Sequence, residues 1–415
     1  MLQYLKMHRE ADKEMLVKQL TTPEELLEMD MITGISFVAV RDLEVQKQKR
    51  MAEAETPLPY DAWGVLDDGG NLGAAMVNHN FHVRFDGHDV PASGIGAVCS
   101  MPEFRSKGGI RAIFSRVLGE LHAKGCVFSY LFPFSIPYYR QFGYELLHTS
   151  HRYEFPIEAL QGFRCEYQVS LCRTGGATED MRSIYSRFIQ KFNLPICRQE
   201  QHWKDAQGDP FKDRCYKYTF YDQQKNPRAY IVFQPERKDT DSPRVIAVKD
   251  LAFLAPEDIP HIFGFLYRLR AQYGKITLPM PENVPLFAMI PDSLCVKHTG
   301  SPQGQLRVVN VQSALEAMRC PADSGSAVIA VDDPFLKENT GNYLLTFAGG
   351  QAVSVEKRPD LEPDIRLSIQ RFSKMVTGYL DLAQSEYVSD VEILKNRPVL
   401  EKLFVHKPIF FTDHF

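Results

Sequence analysis

The apolar positions of this chain change rhythm several times, and each change marks an element. Between Ile95 and Ser100 small and β-branched residues run together until Pro102, the signature of a strand. Ile110, Phe114, Val117, Leu118 and Leu121 then recur at intervals of three and four, which predicts an amphipathic helix. Gly125 stops it, and Cys126 to Phe132 is apolar enough for a buried strand. Upstream, Trp63–Asp67, Leu72–Asn78 and Phe81–Phe85 read as short strands. The Asp67-to-Gly70 and Asp86-Gly87 turns carry strong hairpin signals and deliver an antiparallel meander into the strand at Ile95. Residues 1–50 are expected to be mainly helical, with Leu16, Leu20, Leu26, Leu27 and Met29 on apolar faces. Thr22, Pro23, Glu24 and Glu25 form a helix start there.

Past His151–Phe155 the pattern predicts a helix over Asp180–Phe192 and strands over Tyr216–Tyr221, Ala229–Gln234 and Val245–Phe253. A second amphipathic helix follows over Pro260–Tyr273, then a strand over Lys275–Leu278. Ser301 to Gly304 is the expected boundary to a last segment. Strands are expected there at Leu306–Val311 and Ala327–Val331, a hairpin about Ala348–Gly350, and helices at Arg366–Thr377, Leu380–Ala383 and Pro398–Leu403. The fold class is therefore α/β of the α+β kind.

With 415 residues, the chain has room for two or three domains. Its 44% hydrophobic and 24% charged content is that of globular proteins. A formal net charge of −4 leaves no basic footprint for nucleic acid. No apolar run reaches the length of a membrane helix, and the N-terminus lacks a signal-peptide core. Eight cysteines without a C-x-x-C pair read as reduced core thiols, so a cytoplasmic location is expected.

The candidate chemistry lies in the turn before the first amphipathic helix: Arg105, Ser106, Lys107, Gly108, Gly109 and Ile110. Backbone N–H groups at a helix start lack intrahelical partners and carry partial positive charge. Glycines let that backbone approach an anion, and Arg105, Lys107 and Arg111 add full charges, which suits a pyrophosphate. Neither G-x-G-x-x-G nor G-x-x-x-x-G-K-[ST] is present. The turn resembles the R-x-x-G-x-x turn with which GNAT acetyltransferases hold coenzyme A. Tyr139 to Glu145, YRQFGYE, looks like the motif that closes many GNAT domains, and the chain ends in PIFFTDHF. Together with the long continuation, these features resemble the Eis (enhanced intracellular survival) family.

That resemblance implies a GNAT domain over 1–155, a second GNAT-like domain without a cofactor motif over 156–298, and a sterol-carrier-like domain over 299–415. It implies acetyl-CoA as cofactor, held by the 105–110 turn. The backbone of Val98, Cys99 and Ser100 would bind the pantetheine arm, with Phe134 and Ser135 on its other side. Tyr139 would protonate the leaving thiolate, with Tyr138 the competitor by one position. In the same family the terminal carboxylate, here that of Phe415, serves as general base; Asp413 or His414 could serve instead. The expected acceptor is a primary amine on a small or medium polycation, aminoglycoside- or polyamine-like, with no nucleic-acid or membrane partner and a homo-oligomer, hexameric by resemblance. A protein lysine acetyltransferase and a non-catalytic coenzyme A- or lipid-binding module are the rival readings. His79/His82 and His148/His151 fall on strand-like segments, where a spacing of three separates the faces, so no metal site is expected.

Overall fold

The computed structural model describes residues 15–67, 69–146, 148–236, 244–410 and 412–413, in three mixed sheets. The first sheet takes β1 (Val17–Gln19), β2 (Asp61–Leu66), β3 (Leu72–Phe85), β4 (His88–Ser100), β5 (Phe128–Leu131) and β6 (Glu145–Leu146). The second takes β7 (Thr149–Pro156), β8 (Gln168–Leu171), β9 (Tyr216–Tyr221), β10 (Pro227–Glu236), β11 (Val245–Phe253), β12 (Lys275–Pro279) and β13 (Lys297–Pro302). The chain then returns to the first sheet with β14 (Gln305–Val308), inserted between β5 and β6. The third sheet holds β15 (Gly325–Asp332), β16 (Gly341–Ala348), β17 (Gln351–Lys357), β18 (Ile365–Ser368) and β19 (Val391–Ile393).

Both hairpin turns form as their residues dictate, with Gly70, Asp86 and Gly87 at positive φ. Two expected strand breaks do not occur. β3 runs unbroken through Asn78 and Asn80, and β4 begins at His88 rather than Ile95. The polar residues that suggested a break form a row across the sheet. Asp61 accepts from Asn78 and Asn80, Ser93 donates to Asn78, and Ser129 bonds Tyr144 at 2.7 Å. Buried polar groups inside a strand are tolerable when each finds such a partner.

Of the expected helical N-terminus, residues 1–14 lie outside the described residues, and Val17–Gln19 is a strand. Helix α1 (Pro23–Ser36) starts where expected, with Thr22 and Glu25 forming a capping box; α2 (Leu43–Ala52) follows. The amphipathic helix α3 (Gly109–Ala123) buries Ile113, Phe114, Val117, Leu118 and Leu121 against the first sheet. A short helix α4 (Ile136–Arg140), then α5 (Glu179–Phe188) and α6 (Asp258–Arg268), complete the elements used below. Helices α5 and α6 are shorter than the spans read from the sequence.

The largest departure concerns the joins between segments. Residues 145–146 pair with 305–306 and residues 149–154 with 297–302, antiparallel and in the same register, from Leu306 opposite Glu145 to Lys297 opposite Glu154. Gln303 N–H donates to the His148 carbonyl between the two sheets. One two-stranded ribbon therefore belongs to the first sheet at one end and to the second at the other. The boundary expected at 155/156 cuts β7, and the strand read at Leu306–Val311 pairs in the first sheet rather than with the C-terminal strands. A sheet edge is satisfied by whatever strand reaches it, irrespective of distance along the chain.

Among the described residues no helix is long and apolar enough to cross a membrane. All eight cysteines are unpaired, five of them buried and Cys172, Cys197 and Cys295 only partly so.

Candidate active site

In the first domain β4 and β5 run parallel from Ala92/Phe128 to Ile95/Leu131, and their pairing ends there. A bulge lies two residues further along β4. Ala97 takes φ +48°, and the register against β3 slips so that two β4 residues, Ala97 and Val98, face one residue, Met76. Such a bulge bends its strand and turns backbone groups out of the ladder. The ends of β4 and β5 thus part, leaving the Val98–Ser100 backbone beside the gap.

Cys99 contributes only backbone to that gap. Its side chain is buried beneath α1, with Sγ 3.6 Å from the Ala75 carbonyl and 3.7 Å from Thr33 Oγ1, and burial pushes the thiol up to about 11. Ser36 Oγ donates to the Ser100 carbonyl, so the C-terminal end of α1 borders the same strand end.

The 105–110 turn follows directly. Arg105, Ser106, Lys107 and Gly108 are exposed, with Ser106 at φ +62° and Gly108, the N-cap of α3, at φ +88°. Gly109 is the tighter position, because a Cβ there would lie 2.5 Å from the Phe104 ring and 3.2 Å from Ala74 Cβ. A Cβ at Gly73 would meet the same ring at 2.6 Å, so Phe104 is wedged between two glycines and sets the approach of α3 to β3. The exposed cations, the left-handed Gly108 and the orphan N–H groups of the first helical turn fit a pyrophosphate.

Tyr139, on α4, is 3% exposed and shares one cluster with Phe104, Phe114, Phe142 and Tyr144, against which Val98 and Ile110 also pack. Burial, and to a lesser extent Tyr138, raises its phenol well above the ordinary value. Tyr138 is only half-buried, its ring 5.0 Å from that of Tyr139. Ser135 is the N-cap residue of α4, and Phe134 is 74% exposed while still touching the Tyr139 ring edge-on at 5.5 Å.

Phe415 and His414 lie outside the described residues. The segment leading to them is docked. Ile409 and Phe410 are buried, Thr412 Oγ1 donates to Asp250, and Asp413 receives Arg198 Nε at 2.6 Å and the Tyr185 hydroxyl at 3.3 Å. Arg198 also donates to Asp250 at 2.6 Å and sits over the Tyr185 and Trp203 rings. Its neighbour Cys197 donates its N–H to the His82 carbonyl of β3, and His202 packs edge-on against Phe81. The tail is thereby tied to the face of β3 that carries His79 and Phe81. No sequence signal marked Arg198, Asp250 or Tyr185 as members of this anchor.

His79 and His82 lie on the single strand β3; His148 precedes β7, on which His151 lies. Among the described residues no group of three His, Cys, Asp or Glu side chains could hold a metal ion.

The second domain repeats the parallel strand–helix–strand unit with β11, α6 and β12, but its turn is closed from within. Asp258 Oδ2 accepts the N–H groups of Leu254 and Ala255 at 3.0 and 2.7 Å, and its other oxygen takes Tyr167 and Arg228. A carboxylate of the chain itself thus holds the place at the helix start where the first domain presents open backbone.

These features agree with family models of an acetyltransferase (GNAT) domain at residues 19–147, a second acetyltransferase (GNAT) domain at 194–308 and a sterol carrier protein domain at 311–411. The chain belongs to the GNAT acetyltransferases. Its three-part fold is shared with a GCN5-related N-acetyltransferase from Anabaena variabilis, at 21% identity over 96% of this chain and 100% of that one, with a TM-score of 0.83. A probable N-acyltransferase from Enterococcus faecalis has a TM-score of 0.82 at 21% identity, covering 97% and 100% of the two chains. Eis1 from Mycobacterium abscessus has 0.77 at 19%, again over 97% and 100%. No curated protein sequence matches. This GNAT protein is thus an acyltransferase with the Eis-type arrangement of domains, and its 105–110 turn and Tyr139 both fall in the first GNAT match.

Proposed function

We propose that the first GNAT domain transfers an acetyl group from acetyl-CoA to a primary amine of a small or medium polycation, aminoglycoside- or polyamine-like. The observation that carries this reading is the convergence, in one domain, of three features. They are the bulge that parts β4 from β5, the open Gly108 turn at the start of α3, and a buried tyrosine in the same side-chain cluster. Acetyl-CoA supplies the thioester carbonyl that the amine attacks.

The residues of the chain divide the remaining work. The Gly109–Arg111 backbone with Arg105 and Lys107 binds the pyrophosphate, and the Val98–Ser100 backbone orients the pantetheine arm. Phe134 and Ser135 flank its far side. Binding both reactants in register removes much of the entropic barrier. Tyr139, protonated at neutral pH like any phenol, gives its hydroxyl proton to the departing sulfur. Burial makes this phenol a weaker acid than a thiol of pKa about 8.5, so donation requires bound reactants that lower it, as the ammonium formed when the amine attacks would do beside the hydroxyl.

We assign the proton-accepting role to the Phe415 carboxylate, since Asp413 is committed to Arg198 and Tyr185.

The test is thiol release from acetyl-CoA against spermidine, neomycin and a lysine peptide, with the acetylated product identified by mass. Release with spermidine or neomycin supports the reading. Release with the peptide alone makes the protein a lysine acetyltransferase, and coenzyme A binding without release to any amine makes it a binding module.

A further inference from the structure

The helix that carries Tyr139 is held in place by the far end of the chain. Helix α4 has five residues, too few to be stable alone. Three of the carbonyls in and just beyond it are taken by side chains that lie far away in sequence. Gln305 Nε2 donates to Ile136 O at 3.3 Å, Gln370 Nε2 to Arg140 O at 3.0 Å, and Arg307 Nη1 to Phe142 O at 2.5 Å.

Arg307 is the centre of this arrangement. It is 0% exposed on β14, with Nε on the Val308 carbonyl and Nη2 on Asp333, itself 0% exposed. Asp333 is fixed in turn by the N–H groups of Phe335 and Leu336 and by Asn339 Nδ2. The loop it organises packs on the Tyr139 cluster, with the Phe335 ring 5.3 Å from that of Phe142. The glycine of the YRQFGYE motif acquires a reason here. Gly143 takes φ +85°, and a Cβ there would lie 2.6 Å from Arg307 Nη1. The motif leaves room for a guanidinium that arrives from β14, 165 positions from Phe142.

We infer that Arg307, braced by Asp333, is a positioning residue for Tyr139: through the Phe142 carbonyl it fixes the end of α4 so that the phenol meets the departing sulfur. The inference rests on the donor role proposed above. Arg307 reaches Tyr139 through the Phe142 carbonyl, two residues past the end of α4, so the influence argued here is geometric. A buried, fully bonded guanidinium suits this role, because any displacement leaves both its charge and the Phe142 carbonyl uncompensated.

The test uses full-length protein labelled with 3-fluorotyrosine, in which the Tyr139 resonance is identified by its loss in Tyr139→Phe. In Arg307→Lys that resonance should shift or split, while those of Tyr185 and Tyr230 in the second domain stay in place. With acetyl-CoA and neomycin, Arg307→Lys should lower kcat about tenfold in the parent and less than twofold in Tyr139→Phe, since the two changes disable one step. If Arg307→Lys does not fold, Asp333→Asn, which keeps shape and removes the brace's charge, is read the same way. An unmoved Tyr139 resonance, or an equal loss of kcat in both backgrounds, overturns the inference. If Tyr139→Phe alone keeps full kcat, it is the donor reading that fails, and the inference falls with it. If neomycin is not acetylated, the polycation reading suffers and the resonance decides the inference.

Discussion

Arg198 and Asp413, 215 positions apart, form a buried ion pair with Nε 2.6 Å from Oδ1 and both side chains 3% exposed. It joins the last described residue of the chain to the start of the second GNAT match and, through Cys197, to β3 of the first domain. Replacing Arg198 with Met would leave Asp250 and Asp413 buried without their cation. We expect a stability loss of about 3–5 kcal/mol in urea unfolding, because breaking one side of a buried pair strands the other. Asp413→Asn should cost less and should release the tail, lowering kcat with coenzyme A affinity kept. A urea midpoint unchanged in Arg198→Met would show that the pair anchors nothing.

The same region predicts a pH response. Burial, followed by the nearby Lys204, holds His79 near a pKa of about 4; burial, with Arg198 and Lys204, does the same for His202. The unfolded chain takes up these protons at about 6.5 while the folded chain refuses them. Stability present above pH 6.5 is therefore lost as pH falls toward 4. His202→Asn, whose amide oxygen can still accept the Gln199 N–H, should flatten the decline of the urea midpoint between pH 7 and about pH 5. Parallel slopes in the two proteins would contradict this.

The two glycines of the turn should fail differently. Gly109→Ala forces a methyl group onto the wedged Phe104 ring and should cost about 1–3 kcal/mol of stability. At Gly108 a Cβ would meet only Met15 Cε, at 3.8 Å, but φ is +88°, so Gly108→Val should weaken coenzyme A binding at least tenfold through the strained turn it imposes. Urea unfolding checks the first and calorimetric titration with coenzyme A the second. An unchanged dissociation constant in folded Gly108→Val removes the turn from the site.

How much of this was legible in the sequence follows from the range of the interactions. The turn, the helix α3 and the YRQFGYE segment are built by neighbours within a few dozen residues, and their spacing announces them. The gap expected between Asn78 and Phe81 is filled by strand because Asn78 and Asn80 find partners, Asp61 and Ser93, on other strands. The ribbon of 145–154 with 297–306 pairs segments about 150 residues apart, so the pattern at Leu306–Val311 announces a strand but not its place in the first sheet. The second domain's lack of glycines was visible at Leu251–Pro256, whereas Asp258 as the internal anion was not. Gly143 was read as part of a motif, and only the approach of Arg307 explains it.

The central claim is that Tyr139 delivers the proton that frees coenzyme A, and Tyr139→Phe tests it most directly. The ring is kept, so packing in the Phe114, Phe142 and Tyr144 cluster should survive and only the hydroxyl is lost. With acetyl-CoA and the best amine of the panel, we expect kcat to fall at least tenfold while the coenzyme A dissociation constant stays within twofold. Full kcat in Tyr139→Phe, or a loss that appears in Tyr138→Phe instead, would contradict it.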